Sequence, residues 1–361
     1  MLELLSRVGF VPRRCTWEIT LACNLRCGHC GSRAGRARDD ELSTAEARQV
    51  IADLASLGCE HVTLAGGEPT LRADWPELIS ALRDHGVAAS LISNGLTWEP
   101  ALTARALAAG VHRIGFSLDG LERTHSCVRG GESYRRALRA VDLCVEAGVS
   151  VVAVTHVTRR SLPELEELHQ LLGAHGVDTW QVQLGVPTGN LSEDREVVLG
   201  PADILELVPR LAALCVAGRR PELAVADNIG YYGEHEETLR NPGGRVPFWI
   251  GCRAGLEVLG LESHGDVKGC LSLPSLLNGR RDFVEGNVRQ RSLCEIWRDP
   301  AAFAYNRKFQ ITDLRDGCAG CEWGEICRGG CTWTSVAHCG HAHAFPHCHH
   351  RLSRAAAHPA G

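Results

Sequence analysis

Cys23-Asn24-Leu25-Arg26-Cys27-Gly28-His29-Cys30 follows directly on the apolar run Cys15 to Leu21, and its cysteines are spaced C-x3-C-x2-C. An apolar run that turns abruptly polar reads as a strand passing into a loop. Three thiolates on one loop hold three irons of a four-iron cluster, whereas electron-transfer clusters close with four cysteines. One iron is then left for another ligand. The alternatives are a zinc site completed by a fourth ligand such as His29, or cysteines packed as small apolar side chains.

From Cys15 to about Leu184 short apolar runs alternate with amphipathic stretches, the pattern of a parallel sheet built from strand-helix units. The candidate strands are Cys15 to Leu21, His61 to Ala65, Ala88 to Ile92, Arg113 to Leu118, Val149 to Val154 and Thr179 to Leu184. Thr44 to Leu57, preceded by the capping residue Ser43, and Leu162 to Gly173 read as helices. The strands end in Ala22-Cys23-Asn24, Gly66-Gly67-Glu68, Ser93-Asn94-Gly95 and Asp119-Gly120, and in a parallel barrel the site forms at those ends. Six units are too few to close a barrel, so the expected fold class is α/β, a partial (β/α)6 TIM-like barrel over residues 15–190.

Residues 191–248 read as a connector, with one helical pattern at Ala202 to Ala217 and the polar stretch Asn228-Ile229-Gly230-Tyr231-Tyr232-Gly233. Residues 249–350 are rich in Cys and Gly and contain a hairpin turning at Ser263 to Asp266. So little regular structure needs metal to hold it. Residues 1–14 form an N-terminal extension and 351–361 a tail expected to fray.

Net charge is −5 and the basic residues are scattered, which argues against nucleic acid or a membrane surface as partner. No run approaches the roughly 18 apolar residues of a membrane span. Glu3 and Arg7 interrupt the first apolar run and no cleavage site follows, so a cytoplasmic location is expected. Seventeen cysteines without an export signal point to metal or reduced thiols. Cys59, Cys144 and Cys215 stand among apolar residues and read as core.

The triplet after the first strand resembles the signature of the radical S-adenosylmethionine (radical SAM) superfamily. That resemblance implies a 4Fe-4S cluster on Cys23, Cys27 and Cys30. Its open iron would chelate S-adenosylmethionine, whose reductive cleavage gives a 5'-deoxyadenosyl radical that abstracts a substrate hydrogen atom. Gly66-Gly67-Glu68-Pro69 resembles the family's GGEP run, where glycine permits close backbone approach and Glu68 would complement the methionine ammonium. Ser93, Asn94, Ser117 and Asp119 look like the family's polar strand ends, and Arg129 resembles the arginine that pairs with the methionine carboxylate. His29 departs from the aromatic residue often found there. Cys127 is the one candidate for a hydrogen-atom donor.

Cys252, Gly265-x4-Cys270, Cys318-x2-Cys321-x5-Cys327-x3-Cys331 and Cys348 resemble the seven-cysteine SPASM domain, which carries two auxiliary 4Fe-4S clusters. Carried over, Cys252, Cys270 and Cys331 would hold one cluster, and Cys318, Cys321, Cys327 and Cys348 the other. Two closed clusters need eight thiolates and the pattern supplies seven. Cys294, Cys339, a histidine, a substrate group or no ligand would complete it. Zinc is the competing metal for a C-x2-C region with nearby histidines, most of which are expected in a solvated tail.

The combined resemblance implies a peptide-modifying radical SAM/SPASM maturase, an oxidoreductase acting on a ribosomally made peptide or protein. Thioether or carbon-carbon crosslinking, dehydrogenation and decarboxylation fit that chemistry. A flavodoxin or ferredoxin would donate electrons. The short segment before Cys15 leaves no room for the extra peptide-recognition domain of many maturases, so either a separate protein binds the leader or there is no such partner. The alternatives are a small-molecule dehydrogenase or epimerase, acting on a sugar, an antibiotic precursor or a tetrapyrrole side chain, and a non-catalytic metal-binding protein.

Overall fold

A computed structural model describes residues 9–240 and 248–357; residues 1–8 of the N-terminal extension and 358–361 of the tail lie outside it. The six expected strands are present as β1 (Arg14–Thr20), β2 (His61–Gly66), β3 (Ala88–Ser93), β4 (Arg113–Ser117), β5 (Val151–Val157) and β6 (Thr179–Leu184), each parallel to its neighbour. β5 starts later than the apolar run because Val149 N donates to Cys144 O, closing the end of the preceding helix.

Helix α1 (Thr44–Ser56) begins at a reciprocal cap between Ser43 and Glu46, and buries Ala47, Val50, Ile51 and Leu54. Helices α2 (Trp75–Asp84), α3 (Pro100–Ala109), α4 (Glu122–Arg129), α5 (Ser133–Glu146) and α6 (Leu165–Ala174) complete the crossovers. The expected helix at Leu162 opens as a single 3-10 turn, Leu162–Glu164, before α6. Trp17, Trp75 and Trp180 are fully buried in the core between sheet and helices.

The sheet does not stop at six strands. The connector supplies α7 (Pro201–Val216) and β7 (Glu222–Val225), which lies parallel to β6. On the opposite edge β8 (Val258–Leu261) pairs parallel to β1, and β9 (Asp266–Lys268) and β10 (Gly286–Asn287) follow antiparallel. The ten strands run in the order β10-β9-β8-β1-β2-β3-β4-β5-β6-β7. The expected hairpin at Ser263 to Asp266 therefore extends the barrel sheet. Short runs such as Val258–Leu261 acquire strand character from the open backbone edge of β1.

The tail also departs from expectation. His349–Ala357 is a helix, because His349 N and His350 N donate to Gly230 O and Tyr231 O and so satisfy amides at its N-terminus. Leu352 packs on the core and Arg354 pairs with Glu322 at 2.6 Å. The histidines expected in solvent include His343, His347 and His349, all buried. Among the described residues no helix is long and apolar enough to cross a membrane.

Candidate functional site

Beyond β1 the chain folds back on itself: Cys23 N donates to Gly35 O at 3.1 Å and Gly35 N to Leu21 O at 2.9 Å, which closes the cysteine loop at its base. The loop after β2 presses against it, with Gly67 N donating to Thr20 O and Glu68 N to Ala22 O. A Cβ on Gly66 would stand 2.2 Å from Thr20 O and one on Gly67 2.2 Å from Ala22 O, so only glycine lets the two loops meet. Cys23, Cys27 and Cys30, all free thiols, line one cleft with Gly66, Gly67, Ser93, Asn94, Ser117 and Arg129.

Two residues expected on that wall are turned into the protein. Glu68, 1% exposed, accepts from Thr70 Oγ1 at 2.6 Å, Ser93 Oγ at 2.9 Å and Asn94 N at 2.8 Å, so it ties the ends of β2 and β3 together. Burial pushes its carboxyl above the ordinary range even against these donors. Asp119, 2% exposed, accepts from Arg129 Nε at 2.5 Å and from His156 N at 2.9 Å, and lies 3.1 Å from His29 Nε2. Although burial works the other way, Arg129 and His29 hold its carboxyl well below its usual value. Asp119 thus fixes Arg129, whose Nη1 is 4.0 Å from Cys27 Sγ.

Cys127 is exposed on α4, its thiol 3.0 Å from Arg160 Nη1, and it is not part of the cleft wall.

A cavity of about 720 Å³ adjoins the cleft and shares His29, Gly31, Ser32, Gly66 and His156 with it. Its opposite wall is Leu271 to Ser275 and Trp333, beside Cys270 and Cys331. Between them runs a charged wall. Arg38 pairs with Glu18 and donates to Ser263 Oγ at 2.7 Å; Lys268 Nζ donates to Glu262 Oε1 at 2.8 Å and to Leu273 O at 2.7 Å. His156 Nε2 is 2.7 Å from Gln183 Nε2, while its Nδ1 and that of His29 are buried without a hydrogen-bond partner.

The C-terminal cysteines fall into two electrostatic groups. Cys331 feels Cys252 and Cys270, whereas Cys327 feels Cys348, Cys318 and Cys321. The second group faces a small common cavity with Tyr232, Trp323 and Phe345. Tyr305 Oη is buried without a partner and senses Cys252 and Cys270. Cys294 Sγ lies 3.1 Å from Ser56 Oγ on α1. Cys339 Sγ donates to Ala344 O at 3.2 Å and sits near Cys318.

The sequence profile described as the radical SAM superfamily matches residues 17–190, and that of an iron-sulfur cluster-binding domain, SPASM, matches residues 252–322. Mycofactocin maturase MftC of Mycobacterium ulcerans is 30% identical over 321 residues, spanning 88% of this chain and 82% of that protein. The chain belongs to the radical SAM superfamily and carries a SPASM domain. Fe-coproporphyrin III synthase of Methanosarcina barkeri is 29% identical over 331 residues, 87% of this chain and 81% of that protein. In fold the chain is similar to Streptococcus suis SuiB bound to S-adenosylmethionine (TM-score 0.72, 18% identity, 92% of this chain and 76% of that one). It is also similar to anSMEcpe with bound AdoMet (TM-score 0.70, 17% identity, 94% and 95%).

The residues present suit the metal chemistry of a radical SAM/SPASM protein. Burial pushes the Cys27 thiol up to about 11 despite Arg129 beside it, and that of Cys348 to about 11. Thiols so placed ionise only with a cation to compensate, and a metal supplies one. The SPASM match ends before Cys327, Cys331 and Cys348; in the fold Cys327 and Cys348 share a cavity with Cys318 and Cys321, and Cys331 lies near Cys252 and Cys270. The sequence reading did not find His156, Gln183, Arg38, Lys268 or Tyr305, since each stands in ordinary surroundings along the chain. Arg328 carried a signal, being enclosed by Cys327 and Gly329-Gly330-Cys331. Burial lowers its guanidinium from the ordinary value while Cys252 and Cys327 oppose that fall.

Proposed function

We propose that this radical SAM/SPASM enzyme oxidatively modifies a ribosomally synthesised peptide in the cavity between its two cysteine-rich regions, by thioether or carbon-carbon crosslinking, dehydrogenation or a related step. The observation that carries this reading is the 720 Å³ cavity, open at one side to the Cys23-Cys27-Cys30 cleft and walled on the other by the loops of Cys270 and Cys331. A substrate held there touches both regions at once. The 30% identity to a peptide maturase supports the substrate class.

In this reading Cys23, Cys27 and Cys30 hold the first 4Fe-4S cluster. Gly66, Gly67, Ser93, Asn94, Ser117 and Arg129 surround S-adenosylmethionine, with Glu68 and Asp119 fixing them from behind. Cluster and S-adenosylmethionine together supply hydrogen-atom abstraction from an unactivated C–H bond. The loop contacts of Gly66 and Gly67 hold the floor of the cleft against the cysteine loop. His29 and His156 present polar ring edges where cleft and cavity meet. Cys252, Cys270 and Cys331 hold one auxiliary cluster, with the Tyr305 hydroxyl beside it, and Cys318, Cys321, Cys327 and Cys348 hold the other. A flavodoxin or ferredoxin supplies electrons in the cytoplasm.

A second reading, modification of a tetrapyrrole side chain, is favoured by the 29% identity to Fe-coproporphyrin III synthase. The test is an anaerobic assay of reconstituted enzyme with S-adenosylmethionine and dithionite. We expect 5'-deoxyadenosine formation that Cys23→Ala abolishes, and a mass change in a precursor peptide supplied as substrate. Turnover of an iron porphyrin with no change in any peptide would select the second reading. Cleavage that survives loss of the first cluster would reject both.

A further inference from the structure

Arg328 is 2% exposed, yet its guanidinium meets no carboxylate among the described residues. Nη2 donates to Cys252 O at 2.8 Å and Ile250 O at 3.2 Å, while Nε and Nη1 are buried without any partner. The fold makes room for this arrangement. Arg328 itself has φ +53°, and Gly251 has φ +87° with a Cβ position 2.4 Å from Arg328 Nε, so a side chain there would displace the guanidinium. A buried cation is retained only where an anion meets it. Arg328 stands between the two sets, following Cys327 in the chain and bonded to the carbonyl of Cys252.

We propose that Arg328 is the shared counter-charge of the two auxiliary clusters, its otherwise uncompensated buried guanidinium answering their negative charge and raising both reduction potentials. This rests on the reading of the two cysteine sets as cluster sites. A cluster ligated by thiolates is anionic and gains a further negative charge on one-electron reduction, with no bond made or broken. A permanent cation alongside favours the reduced form. Arginine suits the place because it stays charged and its planar fork addresses two sites at once.

The test is potentiometric titration of anaerobically reconstituted full-length enzyme, reduced with dithionite and followed by EPR, with iron and sulfide analysis, for wild type, Arg328→Gln and Arg328→Lys. In Arg328→Gln both auxiliary clusters should become at least tenfold harder to reduce, which is about 59 mV for one electron. The first cluster should be unmoved, and Arg328→Lys should recover most of the shift. Loss of auxiliary iron in the glutamine variant but not in the lysine variant supports the same role. Unmoved or raised potentials, a shift at one auxiliary cluster only, or equal damage from glutamine and lysine would overturn it. Wild type without auxiliary cluster signals would instead overturn the cluster reading, before any variant is compared.

Discussion

Asp119 and Arg129 form a buried ion pair beneath the cleft, and such pairs cost more to break than to replace. Asp119→Leu leaves Arg129 charged and unpaired and should destabilise by about 3–5 kcal/mol, whereas Asp119→Leu with Arg129→Leu should cost clearly less than the two single changes added. Urea unfolding of the four proteins measures both. His125, fully buried beside Asp119 N, has its ring held neutral to about pH 4 by burial. The unfolded chain takes up that proton near pH 6.5, so this contribution is present above pH 6.5 and lost as pH falls toward 4. Between pH 7 and 5 it should cost about 2 kcal/mol, and His125→Asn should flatten the urea midpoint across that window.

Among the elements, the loop after β2 shows how backbone alone shapes a site. Gly67→Ala puts a methyl group 2.2 Å from Ala22 O, so the cysteine loop has to move. Iron at the first site should fall by most of its share of about four atoms while auxiliary iron remains, and S-adenosylmethionine cleavage should fall with it. Iron analysis and 5'-deoxyadenosine assay check this. The strands and helices of the barrel were legible from apolar periodicity because each buries one whole face, as α1 does with Val50, Ile51 and Leu54. β7 was not legible, and β8 only as one arm of the hairpin at Ser263 to Asp266, without its place beside β1. Glu222–Val225 and Val258–Leu261 have four residues each, too short for a periodic signal, and their pairing comes from the free edges of β6 and β1.

For the whole molecule, β8 is what joins the two cysteine regions. It hydrogen-bonds to β1, whose end carries the Cys23 loop, and a Cβ on Gly260 would meet Leu271 N at 2.2 Å, so Cys270 is pressed against the same sheet. Arg289 reaches back to Glu46 at 2.6 Å and to Asp40 O at 2.8 Å, and Trp297 Nε1 donates to Phe10 O. The cavity between the regions is thus framed by one continuous sheet. Cys348→Ala should lower iron by about four atoms per chain and abolish product while sparing S-adenosylmethionine cleavage. Loss of both activities together would mark the second cysteine set as structural.

The amino-acid sequence by itself determined the cysteine triplet, the glycines behind it, the six strand-helix units and the positions of the later cysteines, because spacing and periodicity are local properties of the chain, while the division of those cysteines into two sets was implied by the family resemblance alone. Only the tertiary structure decided that Glu68 and Asp119 work from behind the cleft wall, that the tail is a helix with buried histidines, and that Arg328 lies buried between two cysteine sets. Each of those depends on which groups a side chain meets from segments distant in sequence, and burial, hydrogen-bond saturation and the pairing of charge exist only once those segments are packed together.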